Sequence, residues 1–298
     1  MANCLQCGRE LPSFSTGELK NVCPACQFQI QQQQAAQPQA QQKPTLMEQA
    51  GAFPVTSTIV AINVVVYAIC VVFGYLTGEG GLVDFSPRLL AALGANFGPY
   101  TLDGQWWRIF TCMWMHGGLI HIGSNMYCFW QFGRIAERIF GRSRYLAIYV
   151  ITGLAASITS VAWHPMIVSI GASGAIFGVA GALFVPFYRK SLRLPPPVMH
   201  SMMRSIGLFI VINLIISASL PFIDMSAHVG GLVVGFLLGS IFVRQAARGE
   251  ESIALVVAFC AVLLVAGYML TRHARLPFIQ KQLQQTEQQN QQQVQPHK

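Results

Sequence analysis

The sequence predicts an all-α polytopic membrane protein with seven spans, preceded by a small cysteine-rich module. Three observations lead there. Hydrophobic residues make up 53% of the chain and charged residues only 10%, where a soluble domain carries about one quarter charged. Apolar runs of about 20 residues, the length that crosses a bilayer core of about 30 Å, recur from Ile59 onward. The short polar loops between those runs alternate between Arg-rich and Arg-poor, as the positive-inside rule requires. The mean hydropathy is +0.47. The net charge of +8 follows the membrane loops and forms no nucleic-acid patch.

Taken in order, residues 1–30 are the cysteine-rich module and 31–54 a Gln-rich linker with Ala and Pro. The start lacks the charged-then-apolar pattern of a secretory signal, so the first span is expected to act as a signal anchor. Spans are expected near 56–76, 112–133, 145–163, 168–188, 205–222, 227–243 and 253–270. The first six form a core over 55–245, the seventh span lies within 246–272, and 273–298 reads as a Gln-rich disordered tail.

Orientation follows from the loops. Arg134, Arg138, Arg142 and Arg144 follow the second span; Arg189, Lys190, Arg193 and Arg204 the fourth; Arg244 and Arg248 the sixth. The intervening loops hold only Arg88 and Arg108. The N-terminus is therefore expected in the cytoplasm and the C-terminus outside. The long first loop, from about Leu76 to Cys112, carries Phe85, Leu89, Leu90, Leu93, Phe97, Trp106 and Trp107. It is expected either as an aromatic belt or as a segment lying partly in the outer leaflet.

Cys4, Cys7, Cys23 and Cys26 form C-x2-C-x15-C-x2-C. Two such knuckles fit a closed tetrahedral zinc site, structural rather than catalytic. A segment this short cannot fold on an apolar core, so the metal would supply its folding free energy. A disulfide pair is the alternative, disfavoured in a reducing cytoplasm. Cys70, Cys112, Cys128 and Cys260 lie scattered in apolar runs and read as small buried hydrophobes.

Three segments place polar residues where lipid makes them costly. They are His121 and Asn125, four apart and on one helix face; Ser173 within Gly171-Ala172-Ser173-Gly174; and His228, followed by Gly231 and Gly235. Each alone has a plain structural reading. Glycines around a serine serve close helix packing, and a single His can bond a backbone carbonyl. The loop charges, however, put the starts of the second, fourth and sixth spans on the same outer side. Ser173, His228, His121 and Asn125 then share one depth, within about two turns of the surface. A serine needs a nearby base to be a nucleophile, and this arrangement supplies one.

The pattern resembles the rhomboid family of intramembrane serine proteases over about residues 55–245. The resemblance rests on Trp107–Arg108, His121-x-x-x-Asn125, the GxSG around Ser173, and His228 with Gly231-x-x-x-Gly235; Glu137 and Arg138 also fit. It implies a six-helix rhomboid-like bundle, here with the seventh span and zinc ribbon found in some bacterial-type members. It further implies Ser173 as nucleophile, His228 as base, and an oxyanion hole of His121, Asn125 and the Ser173 amide. Gly171 and Gly174 shape the segment, Phe177 packs on the base where many members carry Tyr, and Gly231 and Gly235 admit a close helix. Catalysis would need no cofactor and no acidic third residue; Asp224, the nearest acid, is assigned to the outer loop. A substrate gate is implied between the second and fifth spans, with Ile206 to Leu220, Phe209 and Phe222 on the mobile side. The expected partners are single-span or polytopic membrane-protein substrates, the bilayer, and an unidentified partner of the ribbon, most naturally at a bacterial inner membrane. A catalytically inactive relative that binds membrane proteins would lack Ser173 or His228. A transporter would need midplane charges and repeated spans. A membrane-anchored nucleic-acid binder would need a basic ribbon, whereas Arg9 and Lys20 are matched by Glu10 and Glu18.

Overall fold

The computed structural model describes residues 3–10, 22–23, 26, 29, 51–220, 223–250 and 252–294. Residues 31–50 of the linker expected at 31–54, Phe222 of the implied gate, and the last four residues lie outside the described residues. The chain divides into two compact units, 1–49 and 50–298. In the first, the Cys4 amide donates to the Arg9 carbonyl at 2.7 Å and the Gly8 amide to the Cys4 carbonyl at 2.9 Å. Gly8 turns the chain there with φ of +74°, a left-handed conformation that costs glycine nothing.

The second unit is helical. Among the described residues seven longer helices follow one another: α1 Pro54–Thr77, α2 Leu119–Phe140, α3 Arg142–Trp163, α4 Ser173–Tyr188, α5 Pro196–Ser219, α6 Met225–Ala247 and α7 Ala254–Val294. Short helices Pro87–Leu93, Gly98–Thr101 and Arg108–Thr111 occupy the first loop. Among the described residues there are only isolated β-bridges. By length and hydropathy α1, α3, α5, α6 and the apolar part of α7 each qualify as membrane spans. The other two depart for visible reasons. α2 carries Arg134, Glu137 and Arg138 near its end, and α4 has only 16 residues, about 24 Å of helix.

Three helix starts differ clearly from expectation. α5 begins at Pro196, not 205, because prolines suited to a first turn open it ahead of the apolar run. α2 begins at Leu119, not 112, because a 3-10 turn at Cys112–Trp114 and the Met115–Gly118 stretch break the apolar run. α4 begins at Ser173, not 168, because Gly171 takes φ of +114° just before it. The short α4 has a consequence. If its Arg189 end sits at one face of a core about 30 Å thick, Ser173 lies roughly 6 Å below the other.

α4 is the hub. It packs most extensively on α6, then on α3, and more lightly on α2 and α5. The α4–α6 seam runs on small residues. A side chain at Gly231 would meet the Gly174 carbonyl, one at Gly235 the Gly178 carbonyl, and one at Gly239 the Ala182 carbonyl. Lipid offers no hydrophobic drive between helices, so this close backbone approach holds the pair by dispersion. At the opposite end of α2, Glu137 accepts from the amides of Val55 and Thr56 at 3.0 and 2.9 Å and from the Thr56 hydroxyl at 2.7 Å. It thereby satisfies the orphan donors of the first turn of α1.

The first loop does not fit either sequence expectation alone. Leu89, Leu90, Ala95 and Leu102 are buried in protein, while Trp106, Trp107 and Phe110 stay exposed. α7 packs on α3 and on Gly98–Thr101. The Tyr268 hydroxyl donates to the Thr101 carbonyl at 2.8 Å and Arg272 Nε to the Leu102 carbonyl at 2.9 Å. Ile279 completes a small buried cluster with Leu102 and Val161. The helix then continues to Val294, where the sequence suggested a disordered tail from 273. Glutamine is a good helix former, and the Gln-rich run contains no glycine to stop a helix.

Candidate active site

The site begins with a turn. The Gly171 amide donates to the Cys112 carbonyl at 2.9 Å, which ties the segment before α4 to the end of the first loop. Ala172 is the N-cap and Ser173 the first residue of α4, so the Ser173 amide has no partner within its helix. Across the seam, Asp224 caps α6. Its carboxylate accepts from the amides of Ser226 and Ala227 at 3.1 and 3.2 Å. Burial pushes that carboxyl up, but the Ser160 and Ser226 hydroxyls, the Ala227 amide and Ser169 outweigh it and hold it below the ordinary carboxylate range. His228 follows one turn later, with 7% of its surface exposed.

His228 Nε2 lies 2.8 Å from Ser173 Oγ. One turn beyond Ser173, the Phe177 ring stacks on the imidazole with centroids 4.4 Å apart and planes at 18°. Gly231 lies against the Gly174 carbonyl, so the two helices approach closely enough for this pair to meet. The other imidazole nitrogen, Nδ1, lies 2.8 Å from the hydroxyl of Ser217 on α5. Ser217 was not singled out from the sequence. It stands eleven positions before His228 on another helix, a spacing that carries no motif.

His121 and Asn125 occupy the first two turns of α2. The Gly117 amide donates to His121 Nδ1 at 3.2 Å, so the ring proton belongs on Nε2. That nitrogen faces Gly171, where an added Cβ would come within 2.9 Å of it. Asn125 Nδ2 donates to the His121 carbonyl at 2.9 Å. His116, which the sequence reading passed over, is fully buried with its ring edge-on to His121 at 5.0 Å.

Ser173, His228, His121, Asn125, Phe177 and Ser217 line one cavity of about 560 Å³, and His116 lies behind its wall. Trp107 and Arg108 stand back from it. Arg108 is 5% exposed. It donates to the Ala91 and Ala95 carbonyls at 2.6 and 2.9 Å and to Gln105 at 2.7 Å, and stacks against Tyr100 and Trp107. The pair therefore braces the first loop. Of the two sides of the implied gate, Phe132 on α2 meets Phe209 on α5 with centroids 4.7 Å apart.

The four N-terminal cysteines form a cluster that could hold a metal. Their sulfurs all lie within 4.8 Å of one another, and those of Cys7 and Cys23 are 3.6 Å apart. Tetrahedral zinc at about 2.3 Å from each sulfur sets neighbouring sulfurs about 3.8 Å apart, so the donors fit. The Cys23 amide donates to Cys4 Sγ at 3.2 Å, and this bond chiefly brings the Cys4 thiol down to about 6. Hydrogen bonding to Cys23 and Cys7 pushes Cys26 up to about 12.

Comparison with known proteins bears on this geometry. Residues 103–245 match the model of the rhomboid domain. The chain is 33% identical over 201 residues to rhomboid protease GluP of Bacillus subtilis, covering 64% of this chain and 38% of that one. It is 38% identical over 180 residues to the mitochondrial RHOMBOID-like protein 6 of Arabidopsis thaliana, covering 58% and 56%. It is 29% identical over 215 residues to rhomboid protease AarA of Providencia stuartii, covering 65% and 74%. The first two matches span 38% and 56% of those relatives' lengths. The protein is an integral multi-pass membrane protein that carries a rhomboid domain over residues 103–245.

Proposed function

We propose that the protein is an intramembrane serine endopeptidase that cleaves transmembrane segments of other membrane proteins through a Ser173–His228 dyad. The observation that carries this reading is the 2.8 Å contact between Ser173 Oγ and His228 Nε2 at the floor of a cavity. GluP and AarA, both named rhomboid proteases, support it. Ser173 Oγ attacks the scissile carbonyl while its proton passes to His228 Nε2. The tetrahedral oxygen takes hydrogen bonds from His121 Nε2, from the Ser173 amide and from Asn125 after its side chain turns off the His121 carbonyl. The N-terminus of α4 adds its positive end. His228 then gives the proton to the leaving amine, which leaves an acyl-enzyme on Ser173. Water gives a proton to the same imidazole and attacks the ester, and the imidazolium returns that proton to Ser173 Oγ as the acyl C–O bond breaks, which releases the acid product and frees the enzyme. By the loop charges, the cavity faces outward and cleavage occurs near the outer membrane face, with the N-terminus in the cytoplasm and the C-terminus outside.

The test is labelling by a fluorophosphonate probe together with cleavage of a single-span substrate. Wild type should label and cleave. Ser173→Ala and His228→Ala should lose cleavage by at least about 10³-fold while melting normally in detergent. Cleavage that survives either substitution would sink the dyad. A folded wild type that neither labels nor cleaves would instead favour a non-proteolytic binder of membrane proteins.

The cysteine cluster we assign to one structural Zn²⁺ held by Cys4, Cys7, Cys23 and Cys26. Four thiolates leave no open position, so the ion stabilises the module and takes no part in peptide hydrolysis. Chelation should release one zinc per chain and leave the dyad's probe labelling unchanged. Retention of two disulfides and no zinc in protein prepared under reducing conditions would overturn the assignment.

A further inference from the structure

A Ser–His pair leaves one question open: what holds the imidazole in the tautomer that can accept a proton. In proteases with an acidic third residue, a carboxylate on the far nitrogen does so. Here the nearest acid does not bond the imidazole: Asp224 Oδ1 accepts from the first amides of α6 and from the Ser226 hydroxyl, and Oδ2 makes no hydrogen bond to His228. The far nitrogen of His228 instead meets a hydroxyl, Ser217 Oγ, at 2.8 Å. Ser217 is buried, with 4% of its surface exposed.

The direction of that bond can be worked out. A serine hydroxyl has one proton to give and two lone pairs to receive with. The Ser217 hydroxyl also lies 2.6 Å from the carbonyl oxygen of Asn213, one turn earlier on α5. A carbonyl cannot donate, so that contact is a bond only if Ser217 gives its proton there. The lone pairs of Ser217 Oγ are then what His228 Nδ1 meets, and Nδ1 must carry the ring proton. Nε2 is left with its lone pair aimed at the Ser173 hydroxyl, which donates across 2.8 Å. The chain of donors runs from Ser173 to His228 to Ser217 to the Asn213 carbonyl.

We infer that Ser217 is a positioning residue for the proposed Ser173–His228 dyad, a neutral third member that fixes the base's tautomer and supports the imidazolium when it forms. The inference rests on the dyad reading and adds to it. When His228 takes the Ser173 proton, both ring nitrogens become donors, and Ser217 Oγ keeps an acceptor in place for Nδ1. Being uncharged, Ser217 asks for less desolvation than a buried carboxylate would in this setting. It also contributes less than one. The expected effect of its loss is about that of one hydrogen bond to a charged group, roughly tenfold, well short of the roughly 10⁴-fold that follows loss of a buried acidic member.

The experiment compares Ser217→Ala and Ser217→Thr with wild type, all full-length in detergent. Ser217→Ala should lower kcat and the rate of fluorophosphonate labelling of Ser173 by roughly tenfold, with KM unchanged. Ser217→Thr, which keeps a hydroxyl, should recover most of the loss. With ¹⁵N-labelled histidine, wild type should give the Nδ1–H tautomer for His228, identified by its disappearance in His228→Ala; Ser217→Ala should give a mixture. A folded Ser217→Ala with wild-type kcat and labelling rate would overturn the assignment while leaving the dyad intact. An unchanged Nδ1–H signal in that variant would overturn it as well, even if activity fell. Cleavage that persists in Ser173→Ala overturns the dyad, and Ser217's role falls with it.

Discussion

Helices α4 and α5 both line the cavity, and they are packed in opposite ways. Of the 16 residues of α4, 13 are buried: all but Ser173, Phe184 and Tyr188. α5 has 24 residues, of which only Met199, Ile206, Ile210 and Ser217 are buried. Its apolar window is 17% buried, against 56% for α3 and 44% for α6. The candidate nucleophile thus stands on an element surrounded by protein on all sides. The residue that braces the base comes from an element held on one edge. A site of this kind keeps its reacting atoms fixed while one wall remains able to move, since local openings draw on the segments with the fewest buried contacts. Phe209 marks the join: it touches Phe177, which stacks on His228, and Phe132 on α2.

The comparison can be broken most directly at two glycines. Gly235→Ala on α6 puts a methyl against the Gly178 carbonyl of α4. It should destabilise by about 1–3 kcal/mol through overpacking, seen as a lower melting temperature in detergent and a matching fall in probe labelling. Gly207→Ala on α5 meets nothing within 4 Å and should be neutral or stabilising by up to about 1 kcal/mol, the ordinary helix preference for alanine. Equal destabilisation by the two would mean that α5 is as tightly held as α4.

A smaller effect tests the cap that sets the base in place. Asp224→Ala should cost about 1 kcal/mol, whereas Asp224→Asn, an equally good cap, should melt close to wild type near pH 7. The carboxyl is held below its ordinary value, so its contribution is present above the unfolded carboxylate range and fades as pH falls through the lower folded value. The melting difference between wild type and Asp224→Ala should therefore narrow only in acid. A large loss of kcat in Asp224→Asn would mean that the charge acts on His228 and would restore an acidic third member.

Much of this was legible in the chain. Loop arginines suggested the order of the spans, although the fourth was expected from 168 and its helix begins only at Ser173. His121 and Asn125 were placed on one face by a spacing of four, and they lie in the first two turns of α2. The boundaries were less legible. The apolar run from Cys112 gives no hint that Gly117 and Gly118 delay the helix to Leu119, because extended backbone and helix tolerate the same residues there. Glu137 entered only as a residue that fits the family resemblance, and the structure shows what it does: it caps the first turn of α1. Gln-rich composition suggested a disordered tail, yet the same residues continue α7.

By itself the sequence determined the class of protein, the order of its apolar segments, the four-cysteine cluster, and the residue types that could carry chemistry. Those follow from composition and local spacing, which act through solvation and helix periodicity and need no knowledge of the partner helix. Only the tertiary structure decided that Ser173 and His228 meet at 2.8 Å, that Phe177 rather than lipid covers the imidazole, and that Ser217 takes its far nitrogen. Each depends on how closely two backbones approach, and that distance is set by side chains facing each other across a seam. A linear sequence cannot express such a distance.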